Sequence, residues 1–179
     1  MHDTLGVAYV ADSWHEFFIG SAGGVAALSG LIFVAVSVNL KEILAADRAE
    51  GGTFLTGRAI EALVSLLIAL GICVVGLAPE ISSRILGAFV LLTAAISTIS
   101  PVRALVAFRA LASQPDVSRP KAFTARVILA LAFFASLVAA GVTIVAQAGG
   151  GLYWLPVCFI IAIVVAAINA WVLLVEVMR

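Results

Sequence analysis

Glu61 lies about two turns inside a long apolar segment that begins near Thr53, and Arg58 precedes it by three residues. A carboxylate at membrane depth is costly, and such residues commonly serve ion or proton pathways. The alternative is an ion pair at the level of the lipid headgroups. Its basic partner is either Arg58, one helical turn away, or Arg103 of the following segment. We expect the buried ion pair, and a coupling or pore role for Glu61 remains the alternative.

Three polar residues lie within other apolar segments, two of them near a segment end. Ser37 and Asn39 close the first segment, where they predict either a polar ring at a pore mouth or a structural role, namely a hydrogen bond between helices or a C-terminal helix cap. We expect the structural role. Asn169 lies deeper in the last segment. Polar side chains at that depth commonly bind neighbouring helices, so we predict that Asn169 holds helices together.

His15 is the histidine with the most acidic neighbours, because Glu16 adjoins it and Asp12 precedes it by three residues. Together with His2 these side chains are of the types that bind metals, but their spacing matches no known ligand pattern. We therefore predict a solvated histidine and no metal site.

Cys73 and Cys158 both lie inside apolar runs, so we predict free, buried thiols. The sequence has no nucleophile motif, no phosphate-binding loop and no zinc-binding helix motif. These observations favour a protein that is not an enzyme and has no cofactor. Ser97, Thr98 and Ser100 precede Pro101, and we expect their hydroxyls to bind carbonyls of their own helix.

The composition shows which solvent surrounds these residues. Of the 179 residues, 64% are hydrophobic and 11% are charged, and the net charge is zero. Soluble domains average about 45–50% apolar and about 25% charged residues. The lipid bilayer must therefore be the solvent for most of the chain, and the neutral charge indicates no nucleic-acid partner.

The apolar segments predict an all-α integral membrane bundle that forms one domain, 1–179, behind an extracytoplasmic head at 1–13. Ser13 and Glu16 match a capping box at the start of the first span. Pro101 should kink the third span. The five predicted transmembrane helices cover about 14–40, 53–78, 82–111, 122–147 and 152–178.

The basic residues predict the orientation. With five spans, nine of the ten Lys and Arg residues lie on the side opposite the head, and Arg84 is the exception. Basic residues favour the cytoplasmic side of a membrane. We therefore predict a multi-pass protein of the cell (inner or plasma) membrane, with the head outside and the C-terminus inside.

The first span has small side chains along one face. Gly23, Ala26, Gly30 and Ser37 follow one another at spacings of three, four and seven residues, which places them on one side of a helix. In lipid, small residues let helix backbones approach closely enough for dispersion contacts. We predict that this helix is the packing centre of the bundle and of a homo-oligomer.

The stretch Ala26–Ile43, AALSGLIFVAVSVNLKEI, follows the W-x-x-F start at Trp14–Phe17. It resembles the first span of a group of uncharacterised small bacterial membrane proteins, with the pattern A-A-L-x-G-L-x-F-V-A-x-S-x-N/H-L. That resemblance covers about 30 residues and implies no particular activity. The same stretch is similar to the pore helix of calcium-release-activated channels, but Val38 stands at the position of their acidic filter residue.

Three classes of function follow from these observations. The first is a homo-oligomeric ion or small-solute channel with the first helix around the central axis. The second is an accessory or scaffold subunit that packs against a larger membrane complex through the same face. The third is an ion-coupled transporter or intramembrane enzyme, which usually needs several ionisable groups at mid-depth.

Overall fold

The computed structural model describes residues 7–49, 54–99, 102, 105–106 and 121–177, with side chains for all of these except 54, 121–123, 126 and 172–177. The described ranges contain no strand, which confirms the all-helical prediction. Short 3₁₀ turns at Ala11–Trp14 and Gly151–Tyr153 each lead into a longer helix. We number the α-helices α1 (His15–Val38), α2 (Leu40–Ala49), α3 (Phe54–Gly76), α4 (Ser83–Ser97), α5 (Lys121–Ala146) and α6 (Trp154–Val177).

Four stretches of the described chain are long and apolar enough to cross a membrane. They are Ala11–Val38, Leu55–Gly76, Val127–Ala146 and Gly151–Trp171. The helices that contain them, α1, α3, α5 and α6, begin and end within two residues of four of the predicted spans. The chain is thus a helical, multi-pass membrane protein.

Helix α4 is shorter than the third predicted span, 82–111. Its 15 residues extend about 22 Å, less than the ~30 Å of a hydrocarbon core. The helix ends at Ser97, whose carbonyl would accept the N–H of residue 101 in a continuing helix, and proline has no N–H to give. Thr98 forms a turn, and the N–H of Val102 then bonds to the Thr98 carbonyl at 3.2 Å. Pro101 itself lies outside the described residues.

Helix α3 is the packing centre of the chain. It lies between α1 and α6, and it also contacts α2 and α4. Helix α5 packs against both α4 and α6. The fully buried side chains of Leu66 and Ile72 from α3, Leu137 from α5 and Leu155 from α6 belong to one hydrophobic core. Because lipid is as apolar as these side chains, close packing and dispersion contacts hold the helices together here.

Helix α1 lies at the edge of the bundle, so within a single chain the prediction of a central first helix is wrong. Only 11% of its most apolar stretch is buried, against 44% for each of the other three candidate spans. Its three buried residues, Phe18, Val25 and Ile32, are spaced by seven and form one narrow stripe against α3. A central position for α1 in an oligomer stays a prediction.

The segment before α1 folds over one end of the bundle. The Ala8 carbonyl accepts a hydrogen bond from the N–H of Leu152 at 2.9 Å, and the Tyr9 hydroxyl accepts one from the N–H of Gly150 at 3.2 Å. The Tyr9 carbonyl also accepts a hydrogen bond from the hydroxyl of Ser83, at the start of α4. These bonds join the head to both turns at that end.

The N-terminus of α1 does not use the predicted capping box. Trp14, not Ser13, precedes the first helical residue, and no side chain caps the helix there. Instead the Trp14 indole N–H donates to the Val7 carbonyl at 2.9 Å, and its ring packs edge-on against Tyr153 with centroids 4.8 Å apart. The 3₁₀ turn at Ala11–Trp14 takes Ser13 out of the capping position.

Candidate functional site

The predicted small-residue face of α1 points away from the part of the chain that the structure describes. Gly23, Ala26, Gly30 and Ser37 are all exposed. A methyl group added at Gly23 or Gly30 would meet no atom of the described chain within 4 Å. The face is therefore free to contact lipid or another protein.

Close helix contacts inside the chain use other glycines. A Cβ at Gly76 of α3 would lie 2.8 Å from the Phe18 ring, and one at Gly141 of α5 would lie 2.6 Å from the Leu91 side chain. Gly87 of α4 is packed in the same way against Ile144, at 2.9 Å. These contacts show how a missing side chain lets membrane helices approach. Sequence reasoning missed them, because isolated glycines in apolar runs gave no sign of which face meets a neighbour.

Asn39 is the C-cap of α1. Its side-chain Nδ2 donates to the Ala35 carbonyl at 2.8 Å, and its backbone N–H bonds to the same carbonyl at 3.2 Å. The capping interpretation of Asn39 is thus confirmed in the chain. Because α2 begins at Leu40, the chain passes from one helix directly into the next around this residue.

Asp47 joins α2 to α3 at the same end of the bundle. Its side chain is buried, and its two carboxylate oxygens accept hydrogen bonds from three donors at the start of α3. The donors are the N–H of Leu55 at 2.8 Å, the N–H of Thr56 at 3.0 Å and the hydroxyl of Thr56 at 2.6 Å. A carboxylate at a helix N-terminus satisfies free N–H groups and interacts favourably with the helix dipole. The sequence analysis assigned Asp47 no role.

Arg58 and Asn169 form a buried contact between α3 and α6. Arg58 Nη1 donates to Asn169 Oδ1 at 3.3 Å, and both side chains are less than a tenth exposed. The prediction that Asn169 binds a neighbouring helix is therefore confirmed. Glu61 is half-buried one turn further along α3. Its predicted partner Arg103 lies outside the described residues, so the ion pair that includes Glu61 stays a prediction.

Most hydroxyl groups within the helices bond to carbonyls of their own helix. At the C-terminal end of α4, Ser97 donates to the Thr93 carbonyl at 2.7 Å and the following Thr98 donates to that of Ala94 at 3.2 Å, as predicted, while Ser100 lies outside the described residues. The same local pattern occurs at Ser29, Ser65, Thr93, Ser136 and Thr143. These hydroxyls are therefore satisfied by acceptors in their own helices.

Cys73 of α3 and Cys158 of α6 are free and fully buried, which confirms the thiol prediction. Within the described residues, no group of three His, Cys, Asp or Glu side chains is placed to hold a metal ion. His15, Glu16 and Asp12 are exposed near the start of α1, and His2 lies outside the described residues.

Comparison with known proteins found no matching family model, no matching curated protein and no matching solved structure. The resemblance of the first span to small bacterial membrane proteins therefore stays a prediction.

Proposed function

We propose that this chain is a non-enzymatic subunit of a homo-oligomeric membrane channel for ions or small solutes, with α1 of each copy around the central axis. In this proposal the chain crosses the cell membrane five times, with the head outside and the C-terminus in the cytoplasm. Helix α4 and the residues after it form the short third span.

The outward face of α1 is the observation that supports the proposal. Gly23, Ala26 and Gly30 are exposed along a helix that is otherwise apolar. Of the described glycines in the other apolar helices, Gly76, Gly87 and Gly141 lie where another helix comes close, whereas Gly57 does not. A second copy of α1 would give Gly23 and Gly30 the same kind of neighbour.

The packed interior of one chain favours a pore that forms between copies of the chain, not a pore within a single copy. Leu66, Leu137 and Leu155 are fully buried in the core between α3, α5 and α6. The head closes over one end of this core through the hydrogen bonds of Ala8 and Tyr9. A pore lined by α1 would be narrow and largely apolar, and such pores gate by dewetting. Ser37 would lie near the end of the pore that is on the same side of the membrane as most of the basic residues.

The second candidate is an accessory or scaffold subunit of a larger membrane complex. The same exposed face of α1 supports it, because a helix of a different protein would pack on Gly23 and Gly30 equally well. The two candidates differ in what the purified chain forms. A channel gives a discrete symmetric homo-oligomer, whereas an accessory subunit purified without its partner is a monomer.

The test compares Ala26→Leu on α1 with the control Ala167→Leu on α6, since both alanines are exposed within helices. Mass measurement in detergent and in nanodiscs should give an oligomer for the parent and the control, and smaller species for Ala26→Leu. Ion flux into vesicles should fall with the oligomer. A monomeric parent would contradict the channel and favour the accessory subunit.

A further inference from the structure

Helix α2 is held against the bundle in a single orientation. On its inner side, Ile43 is buried against Leu55 and Ala59 of α3, and the Asp47 carboxylate bonds to the start of α3. Ile43 and Asp47 are four residues apart, so they lie on one face of the helix. These two contacts determine which side of α2 faces outward.

The outward side of α2 combines two basic residues with an apolar one. Lys41 and Arg48 are exposed and seven residues apart, which places them on one face two turns from each other. Leu44, 37% exposed, lies between them. Around the helix, Arg48 and Leu44 lie to one side of Lys41, at about 20° and about 60°, and form one flank of the outward side with it. Glu42 is exposed as well and lies on the other flank, about 100° from Lys41.

Helix α2 lies at the level in the membrane at which the apolar spans end. Helix α2 follows directly on the apolar α1, and four of its ten residues are charged, so it begins where the hydrocarbon layer ends. Ile43 of α2 contacts Leu55, near the start of α3. Trp171 is 69% exposed, and tryptophan is enriched at membrane–water interfaces. Helix α2 also contacts α6. It therefore lies where the hydrocarbon layer meets the lipid headgroups.

We infer that the outward face of α2, formed by Lys41, Leu44 and Arg48, binds the headgroups of anionic phospholipids. An amphipathic helix in the interface places its apolar side chain among the acyl chains and its basic side chains among the phosphates. Anionic headgroups complement the two positive charges, whereas zwitterionic headgroups do so only in part. The surface is separate from the α1 face of the proposed channel.

The test measures the dissociation constant of a single phosphatidylglycerol or phosphatidylcholine molecule by native mass spectrometry of the full chain in detergent. The parent chain should bind phosphatidylglycerol more tightly than phosphatidylcholine. Lys41→Gln with Arg48→Gln should weaken phosphatidylglycerol binding about 25-fold and leave phosphatidylcholine binding unchanged, since each basic residue contributes about fivefold at an anionic surface. Each single change should weaken it about fivefold, which keeps the test decisive if the double variant does not fold.

Two controls separate this site from a general charge effect. Arg84→Gln removes an exposed basic residue at the head end and should leave the affinity unchanged. The exchange Lys41→Arg with Arg48→Lys keeps both charges and should keep binding within about twofold. Unchanged phosphatidylglycerol binding in the double glutamine variant would overturn the inference. So would an equal loss in Arg84→Gln, or displacement of the lipid by inorganic phosphate, because the site would then recognise free anions.

Discussion

The carboxylate of Asp47 caps the helix that follows it, through a 2.8 Å hydrogen bond from the backbone N–H of Leu55. Its second oxygen accepts from both the N–H and the hydroxyl of Thr56. One side chain thus satisfies two N–H groups that the first turn of α3 leaves without helical partners. The same bonds hold α2 against α3, so the cap fixes the angle between two helices.

Replacing Asp47 with alanine should lower the free energy of unfolding by about 1–2 kcal/mol, because the buried N–H of Leu55 and the half-buried donors of Thr56 lose this acceptor. Asp47→Asn keeps one acceptor oxygen and should lose less. The control is Glu42→Ala on the exposed side of the same helix, which should change stability little. Denaturant unfolding in detergent gives all three values, and equal losses in Asp47→Ala and Glu42→Ala would contradict the capping role.

The positions of most helices follow from the order of apolar and punctuating residues. The second span was predicted at 53–78 and α3 covers Phe54–Gly76, because the apolar run is bounded by glycines at 51–52 and by Pro79. The role of Asp47 does not follow in this way. The groups that donate hydrogen bonds to it lie in the next helix, and their approach depends on an angle between helices that residue spacing does not encode.

In the candidate site too, local contacts could be predicted from the sequence and tertiary contacts could not. The cap at Asn39 is local, since its acceptor Ala35 is four residues away, and the sequence indicated it. The packing of α1 is tertiary. The small residues of α1 are spaced as they would be on a face that packs against another helix. Within the chain, however, the residues of α1 that are buried are Phe18, Val25 and Ile32. Volume and hydropathy alone do not distinguish the face that meets a neighbour from the face that meets lipid.

Gly141→Ala should destabilise the chain by about 1–3 kcal/mol. The new methyl group would lie 2.6 Å from the Leu91 side chain and 3.1 Å from its backbone nitrogen, so α4 and α5 would have to move apart. Gly57→Ala in α3 is the matched control, because a methyl group there meets nothing within 4 Å. Alanine favours a helix over glycine by about 0.5–1 kcal/mol, so the control should be neutral or stabilising. Thermal unfolding midpoints of the two variants that move in the same direction would contradict the close packing at Gly141.

The bond between Arg58 and Asn169 should contribute to stability as a coupled pair. Asn169→Ala removes one acceptor of a buried guanidinium group and should cost about 1–3 kcal/mol. Arg58→Met removes the charge and keeps the apolar stem. If the contact is made in the membrane, the double variant should lose less stability than the sum of the two single losses. Losses that add within error in a double-mutant cycle would show that the two side chains do not interact.

The proposed orientation can be tested by labelling introduced cysteines, because the two native thiols are buried and should not react. Cys73 and Cys158 are fully buried, so a membrane-impermeant maleimide should not label the parent chain. Asp12→Cys adds an exposed thiol at the head end, and Ala45→Cys adds one on α2 at the opposite end. Because nine of the ten basic residues lie on the side of α2 in the five-span arrangement, that side should face the cytoplasm. Asp12→Cys should therefore be labelled in intact cells, and Ala45→Cys only after the membrane is permeabilised. Labelling of Ala45→Cys in intact cells, with Asp12→Cys protected, would reverse the orientation.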